Sequence, residues 1–229
     1  MKISSLTFKL LFSLVFTGSI TGSYTNAQIP ADYKGKPFAD SLYKKGPQVI
    51  PGIVQLAYYD LGGEGITYHD SDKINNGSGK LNYDQNCPVS GGLKPGNHIC
   101  HFRENESVDL SYTKDIADFN HANLYEPPVM QFYLAWEADG EWTNYTIKVQ
   151  KAGKYRIMAL YGNNDNKSSL WINNVKAADI FLPKSTGSMH LWNKAEVGTI
   201  TFPSAGLNLL TLYYNAGANL AYLEFELIE

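Results

Sequence analysis

The sequence has only two cysteines, no cluster of Lys or Arg, and no stretch with a sustained helical period. Each lack excludes something. With a net charge of −3 and no basic stripe, nucleic acid is not an expected partner. No Gly-x-Ser-x-Gly elbow, His-Glu-x-x-His helix or phosphate-binding loop occurs, so the chemistries those motifs carry are absent. The apolar stretch from Leu10 to Phe16 is far shorter than the roughly 20 residues that span a bilayer. No later segment is long and apolar enough for a membrane helix, so no membrane partner is expected.

What the amino terminus does have is the layout of a secretory signal. Met1-Lys2 and Lys9 supply positive charge, the apolar stretch follows, and small and polar residues lead to Thr25-Asn26-Ala27. Cleavage is expected after Ala27. No cysteine lies near the cut, which argues against a lipid anchor. The mature protein is expected to be secreted or periplasmic. In such a compartment Cys87 and Cys100 are expected to form a disulfide. Its loop holds Pro88, Gly91, Gly92, Pro95 and Gly96, and closing it is worth about 3 kcal/mol in the chain-entropy model. His98 and His101 flank Cys100, but the spacing matches no zinc-ribbon pattern, so no metal is expected there.

Aromatic residues are plentiful, at 13% with 16 Tyr and 4 Trp. Such side chains pair an apolar face with a polar tip, which suits stacking on sugars. They also favour strands for packing reasons alone. Composition leaves those two readings even.

Residues 28–48 read as a lead-in, punctuated by Pro30, Gly35, Pro37, Gly46 and Pro47. Residues 49–229 read as one domain. Tyr145, Ile147 and Val149 alternate with Asn144, Thr146 and Lys148, which predicts a half-buried strand. After a turn at Lys151-Ala152-Gly153-Lys154, the run from Tyr155 to Tyr161 predicts a second strand, and the two are expected to form a hairpin. Further strands are expected at Leu170–Ile172, Thr199–Phe202 and Leu207–Tyr214. At the end Ala221, Leu223, Phe225 and Leu227 share one face, with Glu224 and Glu226 on the other. Short strands at regular spacing with Gly, Asn and Pro turns predict an all-β sandwich of the jelly-roll kind. Lys114 to Pro128 is polar and irregular and reads as a long surface loop.

Six pieces of the chain, in order, resemble the family 6 carbohydrate-binding module. They are Ile50-Pro51-Gly52 with Tyr59 to Asp72; Phe102-Arg103 with Val108-Asp109-Leu110; Gly140-Glu141-Trp142 with Tyr145-Thr146 and Lys151 to Tyr155; Thr186-Gly187 through Trp192; Pro203 to Gly206; and Asn219-Leu220 with Leu223-Glu224-Phe225. The resemblance runs from about Val49 to the C-terminus. It implies a β-sandwich that binds polysaccharides or oligosaccharide ends, either in loops at one end or on a sheet face. At the loop end it places Phe102 as a stacking aromatic, Asn219 as the fixing amide and Glu64 as an acidic helper. Met189, with His190 beside it, stands where the family has a second aromatic, and Trp192 falls on a more structural position. The family's structural calcium positions carry Gln55, Ala57 and Ala221, so that ion is expected to be lost. An insertion at about 81–100, just before Phe102, is expected to wall the site.

Sugar recognition needs a flat apolar face and fixed polar groups. Phe102, Met189 and Trp136 are candidates for the first; Glu64, Asp70, Arg103, His190 and Asn219 for the second. His69-Asp70 is a candidate to orient the same loop, whereas Trp142 reads as a core residue. Glu137, Asp139 and Glu141 alternate, and alternate strand residues lie about 6.5–7 Å apart, within the separation two glycosidase carboxylates need. They sit at a turn, where acids are usually solvated, so catalysis is not expected. The sequence therefore predicts an exported, monomeric, non-catalytic glycan-binding protein, with an interaction or structural jelly-roll protein that has lost sugar binding as the first alternative and a glycoside hydrolase or lyase on the same scaffold as the second.

Overall fold

The computed structural model describes residues 29–40, 45–78, 102–113, 123–163, 166–183 and 188–229. The signal segment 1–27, the insertion 81–100 and the expected Cys87–Cys100 bridge lie outside the described residues. The described residues form two β-sheets of six strands each.

Sheet one takes β1 (Gln48–Ile50), β6 (Trp142–Val149), β11 (Gly206–Tyr213), β8 (Asn166–Ile172) and β9 (Val175–Leu182) in that order, with β3 (Tyr68–His69) also on β6. Sheet two runs β10 (Trp192–Phe202), β7 (Gly153–Gly162), β12 (Asn219–Leu227), β5 (Phe132–Leu134), β4 (Leu110–Tyr112), with β2 (Gly52–Gln55) also on β12. The period of two along each strand sends one set of side chains inward. Tyr145, Ile147, Val149, Leu170, Ile180 and Leu212 from sheet one meet Tyr155, Ile157, Ile200, Phe202, Leu223 and Phe225 from sheet two, all within one apolar cluster.

The expected hairpin of β6 and β7 is not formed. β6 pairs with β1, β3 and β11, whereas β7 pairs with β10 and β12. The turn at Lys151–Lys154 therefore carries the chain from one sheet to the other. Both strands are buried on their inner faces, and stacking them across the sandwich buries more than pairing them edge to edge. A true hairpin joins β8 and β9 through Asn173 and Asn174, whose φ values are 50° and 67°. Asparagine tolerates that left-handed geometry, which matches the right-handed strand twist.

The alternation read in the last strand also breaks once. A bulge between Leu220 and Tyr222 sends Ala221 and Tyr222 to a second cluster with Tyr133, Ala135, Leu160 and Trp192, on the outer face of sheet two. Trp192 is fully buried there, 5.0 Å from the Tyr133 ring. The segment just before β5 covers this face: Leu124 and Tyr125 donate their amides to the Trp192 carbonyl, and Asn123 accepts the Trp192 amide. The ammonium of Lys194 sits 5.7 Å from the Tyr125 ring and pairs with Glu224.

The lead-in packs along sheet one. Lys36 and Leu61 exchange backbone hydrogen bonds of 2.9 and 2.8 Å, and the Tyr33 hydroxyl donates to Asp60 at 2.7 Å. Asp60 is buried and also accepts from the amide and hydroxyl of Thr146 on β6, at 2.8 and 2.6 Å.

Candidate functional site

On β6 the outward positions are Trp142, Asn144 and Thr146; on β11 they are Tyr213, Thr211 and Leu209. Strand register sets them side by side. His69 pairs with Trp142, Trp142 with Tyr213, and Thr211 with both Asn144 and Trp171. An aromatic row results across four strands. Ring centroids are 6.5 Å apart for His69–Trp142, 6.4 Å for Trp142–Tyr213 and 5.3 Å for Tyr213–Trp171. Trp142, Tyr213 and Trp171 are half-buried, so each keeps part of its surface open.

Below the row lies a cleft of about 270 Å³. Its floor is Asn144, Leu209 and Thr211, all buried. The Thr211 hydroxyl donates to the Asn144 carbonyl oxygen at 2.6 Å, and the Asn144 amide donates to the Ile66 carbonyl at 3.0 Å. Those bonds fix the floor. Gly65, Ile66 and the lead-in residues Asp32, Tyr33 and Lys34 wall one side, and Asn174 lines the other. The volume falls just under the roughly 300–1,000 Å³ of pockets for drug-sized ligands, which leaves room for one or two sugar units. The arrangement joins flat apolar faces to a few oriented polar groups, which is the chemistry sugar rings require.

The residues predicted from sequence divide into three places. Phe102 is corrected to a core residue. It is 6% exposed, stacks on Phe132 at 4.2 Å and meets Tyr58 and Phe38 edge-on. Arg103 is corrected likewise. Its side chain is 4% exposed; it donates to the Tyr59 and Asp60 carbonyls, grips Glu106, and lies 3.4 Å from the Tyr59 ring centre. A charge held that way spans inner loops and is engaged by two backbone carbonyls and Glu106.

Trp136, Met189, His190 and Asn219 lie toward one end of the sandwich, whereas the Asp70 amide is bonded to Glu64 beside the aromatic row. Asn219 opens β12 opposite Gly162, which also pairs with Trp192, while Leu220 pairs with Leu134. Trp136 and Met189 are exposed. Asn219 is 5% exposed and its amide donates to the Met189 carbonyl at 2.8 Å, so it holds the neighbouring loop. Glu64 sits at the rim of the aromatic row. It contacts His69 Nδ1 at 2.6 Å and accepts the Asp70 amide at 3.2 Å, which orients His69 beside Trp142.

The three carboxylates weighed for catalysis brace loops or lie buried. Glu141 accepts from the amide and hydroxyl of Ser71 and from the Ala138 amide. Asp139 accepts the Ala216 amide at 2.9 Å. Glu137 is 8% exposed, and one of its oxygens has no hydrogen-bond partner among the described residues. Burial, with Glu141 adding, holds the Glu137 carboxyl well above the usual range. Burial also pushes Asp70 and Asp109 up to about 7, with nearby carboxylates adding and hydrogen bonds from Asp72 and Asn76 opposing.

These raised values set a pH dependence. The folded state holds the protons more tightly than the unfolded chain, so this contribution to stability is full at low pH and is lost as pH rises through about 4 to 7. The thermal midpoint is expected to climb as buffer pH falls from about 8 to about 5. Glu137→Gln is expected to raise the midpoint at the upper pH and flatten the profile. A profile unchanged by that substitution counts against a protonated, buried Glu137.

The sequence missed Tyr213 and Trp171 and read Trp142 as core. The alternation of Trp142 with Thr143 and of Tyr213 with Leu212 was the available signal. It lacked the partner strands that turn three separate aromatics into one row.

A search of curated proteins finds no significant match. Among solved structures the chain is similar to the carbohydrate-binding module CsCBM6-3 of Clostridium stercorarium in complex with cellobiose, at 12% identity and TM-score 0.44, covering 80% of this chain and 98% of that one. It is similar to the module CBM6cm-2 of Cellvibrio mixtus lichenase 5A with cellotriose, at 18% identity and TM-score 0.41, covering 53% and 88%. It is also similar to a Paenibacillus sp. cycloisomaltooligosaccharide glucanotransferase, at 17% identity and TM-score 0.37, covering 44% of this chain and 15% of that enzyme. This chain thus corresponds to a small part of the enzyme. The cleft floor and all three ring platforms from β6, β8 and β11 fall inside residues 130–225, and that segment matches the family model of the carbohydrate-binding module of family 35.

Proposed function

We propose that this protein is an exported, non-catalytic, monomeric module that binds a polysaccharide or oligosaccharide on the outer face of sheet one. The observation that carries the reading is the row Trp142–Tyr213–Trp171 above a cleft with a fixed polar floor. The family match to residues 130–225 supports the ligand class. The chain's own residues 123–125 lie over the Trp192 end of the outer face of sheet two, which favours sheet one. A broad glycan microarray probed with the mature protein tests it, and intact mass checks for cleavage after Ala27. Binding to at least one polysaccharide class is the expected result. Normal folding with no glycan bound across the array overturns it in favour of an interaction protein.

The engagement of Phe102 and Asn219 favours that second reading for the loop end alone. There the platform is inside the core and the amide donates one bond to the Met189 carbonyl.

The protein is also proposed to need no structural calcium. Ala57 and Ala221 offer no side-chain oxygen and are buried, and the Gln55 side-chain oxygen accepts from Gln131 at 2.7 Å. Calcium needs several oxygen ligands converging on one point. Excess EDTA is expected to leave the thermal midpoint within about 1 °C; a drop of several degrees sinks this reading, since losing a bound native-state ion must destabilise.

A further inference from the structure

We propose that the lead-in segment Asp32–Lys36 closes the sheet-face cleft at one side, so that it receives the end of a neutral sugar chain, with Asp32 and Lys34 contacting the terminal unit. This rests on the sheet-face reading above and deepens it.

The aromatic row runs across the strands, from Trp171 on β8 through Tyr213 and Trp142 toward β3. A chain following the row passes Trp142 to the exposed His69 on β3, whereas a chain lying in the cleft at the level of Asn144 meets the edge of sheet one. That edge is not open. Residues 60–61 bridge the gap beside β6, where the Asp60 amide donates to the Asn144 carbonyl at 2.8 Å. Lys36 then pairs with Leu61 in an isolated antiparallel bridge, and Asp32, Tyr33 and Lys34 line the cavity.

The wall is anchored, not merely laid on the surface. Tyr33 reaches the buried carboxylate of Asp60, which is itself held to Thr146 on β6. Gly35 and Gly62 let the segments meet closely: a side chain on Gly62 would strike Thr67 at 2.7 Å. On the far side only Asn174, among the described residues, lines the cavity. The lead-in side is thus built up by a separate segment of the chain, with Asn174 on the other side. A chain end fits that shape, whereas an internal stretch needs passage at both sides.

Asp32 and Lys34 are exposed and are the two charged residues lining the cleft. One is an acceptor and the other a donor, two residues apart at the closed side. A carboxylate accepts from adjacent hydroxyls and an ammonium donates to a ring or hydroxyl oxygen. With opposite charges present, a neutral terminal unit is favoured over a charged one. Both residues lie outside the segment that matches the family model.

The test is titration of the mature protein, by calorimetry and tryptophan fluorescence. The probes are β-1,4-glucan, β-1,3-glucan, xylan and mannan oligosaccharides of two to six units, together with their parent polymers. Affinity is expected to stop rising beyond two or three units, and polymers are expected to bind no tighter per chain end. Asp32→Ala and Lys34→Ala are each expected to weaken binding at least fivefold with unchanged thermal midpoint. Tyr33→Phe, which frees the wall from Asp60, is expected to weaken binding likewise while keeping the cleft aromatic, with a lower thermal midpoint because buried Asp60 loses a donor. If Trp142→Ala abolishes binding but affinity keeps climbing through six units and Asp32→Ala and Lys34→Ala change nothing, the cleft is open at both sides and this inference fails alone. If binding occurs but Trp142→Ala and Tyr213→Ala leave it intact, the sheet-face reading fails with it. No binding to any probe overturns both.

Discussion

Trp142→Ala is expected to weaken glycan binding at least tenfold while the protein stays folded. Trp142 is the middle of the row, with His69 on one side and Tyr213 on the other, and it also lines the cleft. Its indole is the largest flat surface there, and sugar C–H groups pack on such a face. Tenfold corresponds to about 1.4 kcal/mol, a modest demand for a central aromatic at a binding site. Trp142 is half-buried and heads a strand, so the fold depends on it less than on the inner residues of β6. Titration by calorimetry, with near-ultraviolet dichroism as the folding control, measures both. Trp171→Ala is expected to cost less, because Trp171 stands at the end of the row and its indole N–H is engaged with Ser169 at 3.1 Å. A folded Trp142→Ala protein that binds as well as the parent rejects the sheet-face site.

Arg103→Ala is expected to lower stability by about 3–5 kcal/mol, the range for removing one partner of a buried ion pair. The guanidinium serves several groups at once. It donates to the Tyr59 and Asp60 carbonyls, pairs with Glu106 at 2.8 Å and stacks on Tyr59. Truncation leaves those carbonyls without that donor and Glu106 without its counter-charge, in a place water reaches poorly. In a chain of this size the loss corresponds to a drop of about 10 °C in thermal midpoint. Arg103→Lys is expected to recover only part of it, since a lysine is a point charge without the planar fork. Urea unfolding of the three proteins measures the effect. The alternative from sequence, a sugar contact, makes the opposite forecast: near-parental stability with lost binding.

Arg103 also shows why part of the site was not legible in the chain. Phe102-Arg103 lies in a segment that resembles a sugar-binding family, and that resemblance carried the expectation of contact. Whether an aromatic faces out or in depends on what packs above it. Phe38, Tyr58 and Phe132 close over Phe102 from three distant parts of the sequence. Met189 and Trp136 are surface candidates from sequence and are exposed, whereas Asn219, their expected partner, is buried and donates to a loop carbonyl. The hairpin of β6 and β7 failed for a related reason. A turn of suitable composition joins two strands, but it does not say whether they pair or stack.

The alternation of Tyr145, Ile147 and Val149, and of Leu223 and Phe225, determined by itself that the chain builds β-strands with one buried face. That follows from the period of two and needs no partner. The family resemblance was also legible, because it rests on residue order. The cleft was decided only by tertiary structure. His69, Trp142, Trp171 and Tyr213 are scattered along the chain, and they become neighbours because β3, β6, β11 and β8 pair in one register. A slip of one residue in β11 would turn Tyr213 inward and break the row. The wall at Asp32–Lys36 depends likewise on a bond between Tyr33 and Asp60, residues whose meeting no local pattern announces. Strand formation is a local property of the sequence; the face a ligand meets is set by which distant strands lie side by side.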